Sequence, residues 1–405
     1  MKITDVRTHL LTAQWANDPF YPQYLYSTAF VQIFTDAGID GVGEITLAYF
    51  APEATPALVD FFKTSLVGKD PFAISKLTQG MLDESIFWAR NGAARSVISG
   101  LDMALWDLKG KALKVPSYEL MGGAVRESVP VYASGGGSTL PVEVNIRHVE
   151  QYLKMGYTSV KLSPKFYEPF PVLDKLTGLG RPTEIVIPYE RRMEVLVENF
   201  TALRREFGDK MGLAIDGQQG GYPAASADPI TEALEMVEAL APFRLRFYEE
   251  PLAYTNLAGY AELAARSRIP IAGGESLSGM DQFDAFISRR GLHLIQPDVG
   301  FAGGPTEVLK IIHHAEAANI HTAIHTGATI GPALAASWHM AAATQSIDWL
   351  EVVIATGAVQ KDFLVDDLSL KNGRMGIPTA PGLGIRLNDV LLKKYQFVPG
   401  SGARL

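Results

Sequence analysis

Short apolar segments alternate with helical segments over the last two thirds of the chain, and this alternation limits the fold more than any other feature. Eight of the apolar segments are predicted to be β-strands, at residues 129–134, 158–162, 212–216, 244–249, 270–274, 292–297, 322–325 and 349–353. Apolar strands that alternate with helices are typical of a parallel sheet covered on both faces. Eight strands over about 225 residues favour a closed barrel, and the open doubly wound sheet is the alternative.

The N-terminal part has a different pattern, which predicts a second domain. The chain has 405 residues, more than the roughly 250–300 that one hydrophobic core usually holds. Residues 1–125 are interpreted as an α+β domain with strands at 6–12, 29–35 and 41–47 and a helix at 94–112. We predict a barrel domain over 126–380 and expect residues 381–405 to pack back on the first domain.

Two connections within the barrel lead to more specific expectations. One helix is predicted over residues 229–241, with Asp228 as its N-cap and Pro229 in its first turn. The stretch 163–192 is too long for a simple connection, so it is interpreted as an insertion near the barrel mouth.

The composition excludes several kinds of chemistry and partner. The chain has no cysteine, which rules out disulfides, thiolate metal ligands and a cysteine nucleophile. The formal net charge of −8 and the lack of a basic stripe argue against a nucleic-acid partner. The first residues, Met1-Lys-Ile-Thr-Asp5, lack the apolar core expected of a signal peptide, and no run of about 18 apolar residues is present for a membrane span. We therefore expect a cytoplasmic enzyme with no membrane partner.

Six polar side chains lie at the predicted carboxyl ends of successive strands. Between 23 and 33 residues separate each from the next, close to the roughly 31 residues of one βα unit in a barrel of about 250. The six are Asp216, Glu249, Glu275, Asp298, His325 and Glu351. Barrel enzymes carry their chemistry at the carboxyl ends of the strands, so this spacing predicts a single site there.

Three acids on adjacent strands predict a metal site. Asp216, Glu249 and Glu275 would bring three negative charges together, and without a cation at least one would have to be protonated. Their hard oxygen atoms favour Mg²⁺ or Mn²⁺ over zinc. One acid alone is more simply a solvated residue at a strand end, but three at matching depth favour metal ligands.

Asp298 and His325 follow on the next two strands and predict an acid–base pair. A carboxylate beside an imidazole fixes its tautomer and raises its basicity, as a general base near neutral pH requires. Other histidines of the chain lie within predicted helices or away from strand ends, and we interpret them as surface or packing residues; they are His313, His314, His321 and His339.

Lys161 and Glu351 complete the predicted site. Lys161 lies near the end of the second strand, where it is a candidate to bind a substrate carboxylate or to act as a second base with a pKa lowered by desolvation. A lysine exposed at a strand end is the alternative. Glu351 is a candidate hydrogen-bond partner for enolate oxygens if it stays protonated, and plain structural pairing is the alternative.

Several motifs together resemble one known group of enzymes. They include Tyr248-Glu-Glu-Pro, Gly274-Glu-Ser, Gln296-Pro-Asp and Trp349-Leu-Glu, besides the helical segment 100–111 and the Met-Gly-Gly step at 121–123. With them the chain resembles, over nearly its whole length, the enolase superfamily in its mandelate racemase and muconate lactonizing enzyme branch, and acid-sugar dehydratases within it.

This resemblance implies a fold and a site. The fold would be α/β, a modified TIM barrel of the type (β/α)7β with an N-terminal α+β capping domain. The three acids would hold Mg²⁺, Asp298 and His325 would form the catalytic dyad, and Glu351 would stabilise the enolate. In this superfamily a Lys or His base works with Mg²⁺ on an ene-diolate. Such enzymes commonly form homo-oligomers, so we expect one here.

The chain departs from the family pattern at two positions. Racemases of the family carry Lys-x-Lys after the second strand, whereas this chain has Lys161-Leu-Ser163, with Lys165 two residues further on. After the third strand the family often has Asp-x-Asn or Asp-x-His, and this chain has Asp216-Gly-Gln218. Because a racemase needs a base on each face of the carbon, the loss of one favours a one-base reaction.

The resulting hypothesis is dehydration of a small carboxylate substrate, an aldonate or aldarate. His325 would remove the α proton, an enediolate would form, and loss of the β-hydroxyl would give a 2-keto-3-deoxy acid. Racemisation or epimerisation, with Lys161 or Lys165 as second base, is the first alternative. Cycloisomerisation is the next alternative. A metal-binding barrel without catalysis is the alternative from a different class.

Substrate choice is expected to depend on loops. The candidate segments in the first domain are 15–24 and 47–50. The insertion adds aromatic and cationic candidates, and these are Phe166, Tyr167, Tyr189, Arg191 and Arg192. The two arginines would suit a second substrate carboxylate, but they are equally well interpreted as surface or subunit-interface residues.

Overall fold

The computed structural model describes residues 1–14, 25–163, 189–327, 329–367 and 369–403, and the backbone of 172–173 and 180–181. The first domain contains an antiparallel sheet of three strands, β1 (Ile3–Gln14), β2 (Leu25–Thr35) and β3 (Asp40–Ile45), with β2 in the middle. The three predicted strands are confirmed, and the first two are longer than expected.

Five α-helices accompany this sheet among the residues of the domain outside 15–24. They are α1 (Leu47–Phe50), α2 (Thr55–Leu66), α3 (Ile74–Glu84), α4 (Gly92–Leu113) and α5 (Ser117–Leu120). The helix predicted at 94–112 is α4, which packs on β3 through glycines on both sides. A Cβ atom on Gly43 would lie 1.9 Å from the carbonyl oxygen of Gly100, so only glycine permits this close approach.

The second domain is a closed barrel of eight parallel strands. In chain order they are β4 (Ser128–Gly137), β5 (Ser159–Ser163), β8 (Gly212–Asp216), β9 (Tyr248–Glu249), β10 (Ile271–Gly273), β11 (Leu294–Ile295), β12 (His321–Ile324) and β13 (Ile347–Val353). Each pairs with the next in parallel, and β13 closes the ring by pairing with β4. A two-stranded ribbon, β6 (Val172–Leu173) with β7 (Gly180–Arg181), lies within the predicted insertion.

In the described part of the chain, one α-helix lies between each barrel strand and the next. The seven helices are α6 (Val142–Lys154), α7 (Tyr189–Phe207), α8 (Ile230–Leu240), α9 (Leu257–Arg266), α10 (Gly279–Ile287), α11 (Gly304–Ala317) and α12 (Pro332–Ala343). The (β/α)7β barrel with an N-terminal α+β domain is therefore confirmed. Strands β9, β10 and β11 are shorter than predicted, because only two or three residues of each join the parallel hydrogen-bond ladder.

The expected cap of α8 is wrong. The helix begins at Ile230 after Pro229, and no side chain caps it. The carboxylate of Asp228 instead accepts a hydrogen bond of 2.6 Å from Arg192 on α7. An ion pair between neighbouring helices replaces the local cap, and sequence position alone does not reveal such a partner.

The C-terminal part begins with α13 (Gly357–Phe363) and the hairpin β14 (Leu370–Lys371) and β15 (Arg374–Gly376), and it ends with α14 (Asp389–Lys394). Residues after α14 reach β1, where the N–H of Thr12 donates to the carbonyl of Tyr395 at 3.0 Å. The N–H of Val398 donates to the Thr12 hydroxyl at 2.8 Å. Within the described residues, every helix is too short or too polar to cross a lipid bilayer.

A layer of buried side chains fills the barrel beneath the carboxyl ends of its strands. The layer consists of Tyr132, Ala214, Phe247, Ala272, Leu294 and Ala323. Side chains two residues apart on a strand point to the same face. The residues two positions after Ala214, Phe247 and Ala323 therefore face the barrel interior above this layer, and they are the predicted Asp216, Glu249 and His325.

Candidate active site at the carboxyl end of the barrel

The three predicted metal ligands lie together. Asp216 ends β8, Glu249 ends β9, and Glu275 follows β10 by two residues. One carboxylate oxygen from each lies within 4.8 Å of the other two. Asp216 and Glu249 are buried, and Glu275 is partly exposed toward the barrel mouth.

The chemistry of these donors fits a hard divalent cation. Burial, together with the negative charge of Glu275, raises the pKa of Asp216 to about 6, although Lys161 opposes this shift. Burial and the charges of Asp216 and Glu275 also raise the pKa of Glu249 well above its usual range. A divalent cation among the three would relieve both the repulsion and the cost of burial, and carboxylate oxygens suit Mg²⁺ or Mn²⁺.

Lys161 lies inside this acidic cluster. Its Nζ is 2.7 and 2.8 Å from the two carboxylate oxygens of Glu249 and 3.0 Å from Glu351 Oε1. It also lies 3.6 Å from Asp216 Oδ2. Burial lowers the pKa of Lys161, but the surrounding carboxylates outweigh burial and raise it well above its usual range. The expectation of a pKa lowered by desolvation is therefore wrong for this arrangement of side chains, which favours the charged form of Lys161.

Asp298 and His325 form the predicted pair. His325 Nδ1 lies 2.8 Å from Asp298 Oδ2, and the other Asp298 oxygen accepts a 2.7 Å hydrogen bond from the N–H of Gly300. The Nε2 atom points into the acidic cluster, 3.2 Å from Glu275 Oε2. Burial lowers the pKa of His325, yet the charges of Glu351 and Glu275 and the bond to Asp298 raise it well above its usual range. The ring is placed to carry a proton through Nε2.

The other histidines have structural surroundings. His339 is buried in α12, where its Nδ1 accepts a hydrogen bond of 3.2 Å from the N–H of Tyr118, and burial lowers its pKa to about 4. His314 and His321 are exposed and pair with Asp284 and Asp348. These positions agree with the interpretation of the histidines as packing or surface residues.

Glu351 is present at the site but not in the expected protonation state. Burial favours its neutral form, but the charges of Lys161 and His325 lower its pKa to about 2. Its Oε2 lies 3.6 Å from His325 Nε2 and accepts a 3.1 Å hydrogen bond from the N–H of Thr326. The expectation of a protonated Glu351 is wrong in this arrangement, because two cations lie within reach of its carboxylate.

Sequence reasoning missed two buried polar residues beside the cluster. Gln296 donates a hydrogen bond to Glu249 Oε2 from its side-chain amide. Glu250 is buried directly after the predicted metal ligand Glu249, in the left-handed region with φ 44°, and accepts a 3.3 Å hydrogen bond from the N–H of Gly220. Gln296 lies two residues before Asp298, so the alternation of side chains along an extended strand end was the signal that could have identified it.

The two departures from the family pattern lie at the same end of the barrel. Ser163 is the last residue of β5, and Gln218 lies two residues after β8 with φ 51°. The Ser163 hydroxyl and Gln218 Oε1 are both buried, and neither has a hydrogen-bond partner among the described residues. Both side chains are uncharged. Lys165, the other candidate second base, lies outside the described residues.

The loops expected to choose the substrate are described in part. Residues 15–24 and the aromatic pair Phe166 and Tyr167 lie outside the described residues. Segment 47–50 forms α1, and the Phe50 ring lies 6.2 Å from the ring of Phe301, which follows Asp298. The first domain therefore contacts the loop that follows Asp298.

The two arginines of the insertion have local partners. Arg192 pairs with Asp228 at 2.6 Å and with Glu232 at 3.5 Å. Arg191 is exposed and pairs with Glu194 one turn along α7. Arg191 is therefore a surface residue, whereas Arg192 is partly buried between α7 and α8. Both guanidinium groups already have acidic partners, which argues against either arginine as a ligand for a second substrate carboxylate.

Comparison with known proteins identifies relatives of both domains. The family model described as mandelate racemase / muconate lactonizing enzyme, N-terminal domain, matches residues 23–122. The model described as enolase C-terminal domain-like matches residues 145–391. A D-galactonate dehydratase from Pectobacterium atrosepticum is 30% identical over 399 residues, which cover 97% of this chain and 94% of that protein.

Solved structures of similar proteins include enzymes of other reaction classes. The 3,6-anhydro-D-galactonate cycloisomerase from Zobellia galactanivorans is 27% identical, with a TM-score of 0.79 over 98% of this chain and 99% of its own. A racemase from Streptomyces coelicolor with bound magnesium is 26% identical, with a TM-score of 0.77 over 97% of this chain and 99% of its own. One fold therefore supports several reactions, and the site residues must discriminate among them.

Proposed function

This chain belongs to the mandelate racemase and muconate lactonizing enzyme family of the enolase superfamily, and from that premise we propose that it dehydrates a sugar acid to a 2-keto-3-deoxy acid. The substrate class is an aldonate or an aldarate. Similarity to a D-galactonate dehydratase along almost the full chain supports dehydration, which makes the protein a hydro-lyase.

The orientation of His325 is the observation that carries this proposal. Asp298 holds Nδ1 at 2.8 Å, so the other ring nitrogen, Nε2, points toward the cluster of acids, 3.2 Å from Glu275 Oε2. A substrate whose carboxylate is bound at that cluster would present its α carbon to this nitrogen. Both nitrogens of the ring thus have a distinct use, one for orientation and one for proton transfer.

Asp216, Glu249 and Glu275 are the residues that would hold Mg²⁺, with Mn²⁺ as the alternative. When bound, the ion would polarise the substrate carboxylate and so favour loss of the neighbouring proton. Lys161 supplies a second positive charge beside the same cluster, and Gln296 fixes the orientation of Glu249 by a hydrogen bond. The site therefore offers positive charge where the carboxylate gains electrons.

Proton transfer then follows from the position of His325. The neutral form of His325 would be favoured once a divalent cation, held by the three acids, offsets part of the negative charge that raises the pKa of the ring. Nε2 of the neutral imidazole accepts the α proton, and the electron pair of the C–H bond moves into the carboxylate to give an enediolate. When this electron pair moves back from the carboxylate, a double bond forms between the α and β carbons and the bond between the β carbon and its hydroxyl oxygen breaks. The hydroxyl leaves as water with the proton that His325 returns. The resulting enol moves a proton from its hydroxyl to the β carbon and becomes the 2-keto-3-deoxy acid.

Neutral residues at Ser163 and Gln218 favour this reaction over racemisation. A racemase needs a titratable group on each face of the α carbon. Among the described residues, these two strand-end positions carry a hydroxyl and an amide, neither of which exchanges a proton near neutral pH. Their buried unpaired oxygens are suited to hydrogen bonds with substrate hydroxyls.

The test is incubation of the purified chain with Mg²⁺ and a panel of aldonic and aldaric acids, followed by assay for α-keto acids. We expect one or more acids to be dehydrated. His325→Asn should abolish turnover while leaving the fold intact, and His321→Asn should not, because His321 is exposed at the opposite end of β12. A panel without any α-keto acid would count against dehydration.

Epimerisation is the second candidate, because the similar Streptomyces coelicolor enzyme is named a racemase. It predicts exchange of the α proton into deuterated water and inversion at that carbon without an α-keto acid. Two further predictions complete the proposal: a homo-oligomer, which light scattering would detect, and a cytoplasmic location, which cell fractionation would detect.

A further inference from the structure

The catalytic histidine lies on a segment that is held at both ends. We call residues 325–327 and 329–331 the His325 segment. Near its start, Thr326 donates to Glu351 through both its N–H and its hydroxyl, each at 3.1 Å. Its other end leads into α12, a helix that is buried along almost its whole length. The N–H groups at the start of such a helix must find partners other than water.

Those N–H groups find a side chain of the first domain. Glu44 on β3 accepts hydrogen bonds from Ile330 at 2.9 Å, from Gly331 at 3.2 Å and from Ala333 at 3.1 Å. The hydroxyl of Thr28, on the neighbouring strand β2, donates to the same carboxylate at 3.0 Å. Glu44 is 1% exposed, so water does not compete for these bonds.

We propose that Glu44 is a positioning residue that holds the His325 segment, and through it the imidazole, in the arrangement needed for proton transfer. This proposal rests on the proposed role of His325. Glu44 does not touch the acidic cluster; it acts by holding Ile330 and Gly331, which follow His325 closely in the chain. The first domain would thereby contribute to catalysis from a position outside the active site.

A carboxylate is suited to this role in two respects. Its two oxygens together accept four hydrogen bonds, three of them from N–H groups at one helix end. The partial positive charge at the N-terminus of α12 favours a negative charge at this point. An amide of the same shape would lose the charge and would turn an NH₂ group toward N–H donors. Glu44→Gln therefore weakens the attachment while preserving side-chain volume.

The experiment measures Glu44→Gln by steady-state kinetics on an acid that the wild-type chain dehydrates. We expect kcat to fall by about 10- to 100-fold, because small displacements of a reacting group have effects of this size, while KM stays within about 2-fold of the wild-type value, since Glu44 is remote from bound substrate. Slower proton transfer should also increase the kinetic isotope effect on kcat with α-deuterated substrate. A smaller fraction of folded protein would lower kcat without changing the isotope effect.

Asp107→Asn is the matched control. Asp107 is also a fully buried carboxylate of the first domain, and it accepts hydrogen bonds from the N–H groups of Val42 and Leu383 at 2.8 and 2.7 Å. It makes no contact with the His325 segment, so its loss should lower thermal stability but leave kcat per folded molecule and the isotope effect unchanged. Equal kinetic losses in both variants would overturn the proposal.

Hydrogen–deuterium exchange tests the attachment without substrate. In Glu44→Gln, peptides that cover residues 326–336 should exchange faster than in the wild type and in Asp107→Asn. Should Glu44→Gln fail to fold, Thr28→Val removes one of the four donors and should produce smaller changes in the same directions. Unchanged exchange and unchanged kinetics in the folded variant would refute the positioning role.

The two proposals can fail separately. If no acid is dehydrated by the wild-type chain, the proposed function fails, and the exchange experiment still measures whether Glu44 holds the His325 segment. If dehydration is observed and the exchange rates increase, but kcat and the isotope effect do not change, the function stands and the positioning role is wrong.

Discussion

Replacement of Lys161 by methionine should lower the stability of the protein in the absence of Mg²⁺, and it should increase the stabilisation that Mg²⁺ binding provides. The Nζ atom lies 2.7 and 2.8 Å from the two oxygens of Glu249 and 3.0 Å from Glu351, and Lys161 is 4% exposed. Methionine has a similar length but no charge. Lys161→Met therefore leaves buried carboxylates without their cation, while it also removes a competitor for the proposed metal ligand Glu249.

The size of the first effect follows from the loss of the positive partner of a buried group of carboxylates. Loss of one partner from a buried ion pair typically costs about 3–5 kcal/mol. With EDTA present at pH 7, we therefore expect the free energy of unfolding of Lys161→Met to be about 3 kcal/mol lower than that of the wild type. We also expect this variant to have lost its activity.

Thermal unfolding at pH 7, with EDTA or with Mg²⁺, measures both effects. Mg²⁺ should raise the Tm of Lys161→Met by more than it raises that of the wild type, because the bound ion replaces the missing charge. Lys154→Met is the control: its ion pair with Glu150 lies on the surface, with the lysine 71% exposed, and such changes stay within about 0.5 kcal/mol. If Lys161→Met in EDTA unfolds like Lys154→Met, the electrostatic account of the cluster is wrong.

Three further predictions concern the site and the domain core. Gln296→Leu removes the hydrogen bond to Glu249 and should weaken Mg²⁺ binding about 10- to 100-fold in calorimetric titration. Asp216 has a pKa raised to about 6, so its deprotonated, metal-binding form is lost as the pH falls through this value; the increase in Tm caused by Mg²⁺ should shrink between pH 7 and 5. Gly43→Ala places a Cβ 1.9 Å from a backbone oxygen of α4 and should prevent folding or cost several kcal/mol, whereas Gly80→Ala, with open space in α3, should raise Tm slightly.

The sequence predicted the barrel and its polar strand ends because both depend on local, repeating features. Each strand is apolar over a few residues, and Asp216, Glu249 and His325 end their strands at regular spacing. Since parallel strands of a barrel end at the same face, regular spacing becomes proximity in space. The contact between His325 and Asp298, at 2.8 Å, needed no knowledge of the loops.

Charge states were not predictable in the same way, because they depend on which side chains surround a group in three dimensions. Lys161 and Glu351 lie at the expected end of the barrel, but their neighbours reverse the expected direction of both pKa shifts. Glu249 and Glu351 raise the pKa of Lys161, and Lys161 and His325 lower that of Glu351. The expected cap Asp228 failed for a related reason, since Arg192 of another helix is its partner. Each of these partners is remote in sequence, and no local pattern specifies it.

Reaction class depends on far fewer residues than the fold does. Ser163 lies two residues after Lys161 on β5, so both side chains face the barrel interior. A lysine at this one position would place a second titratable group beside the substrate, as the two-base chemistry of a racemase requires. The fold, in contrast, depends on buried residues from every strand and helix of both domains. Proteins that are 26–30% identical to this chain are therefore named as a dehydratase, a cycloisomerase and a racemase. The reaction can change with the side chains at the strand ends, whereas the packed core must be kept.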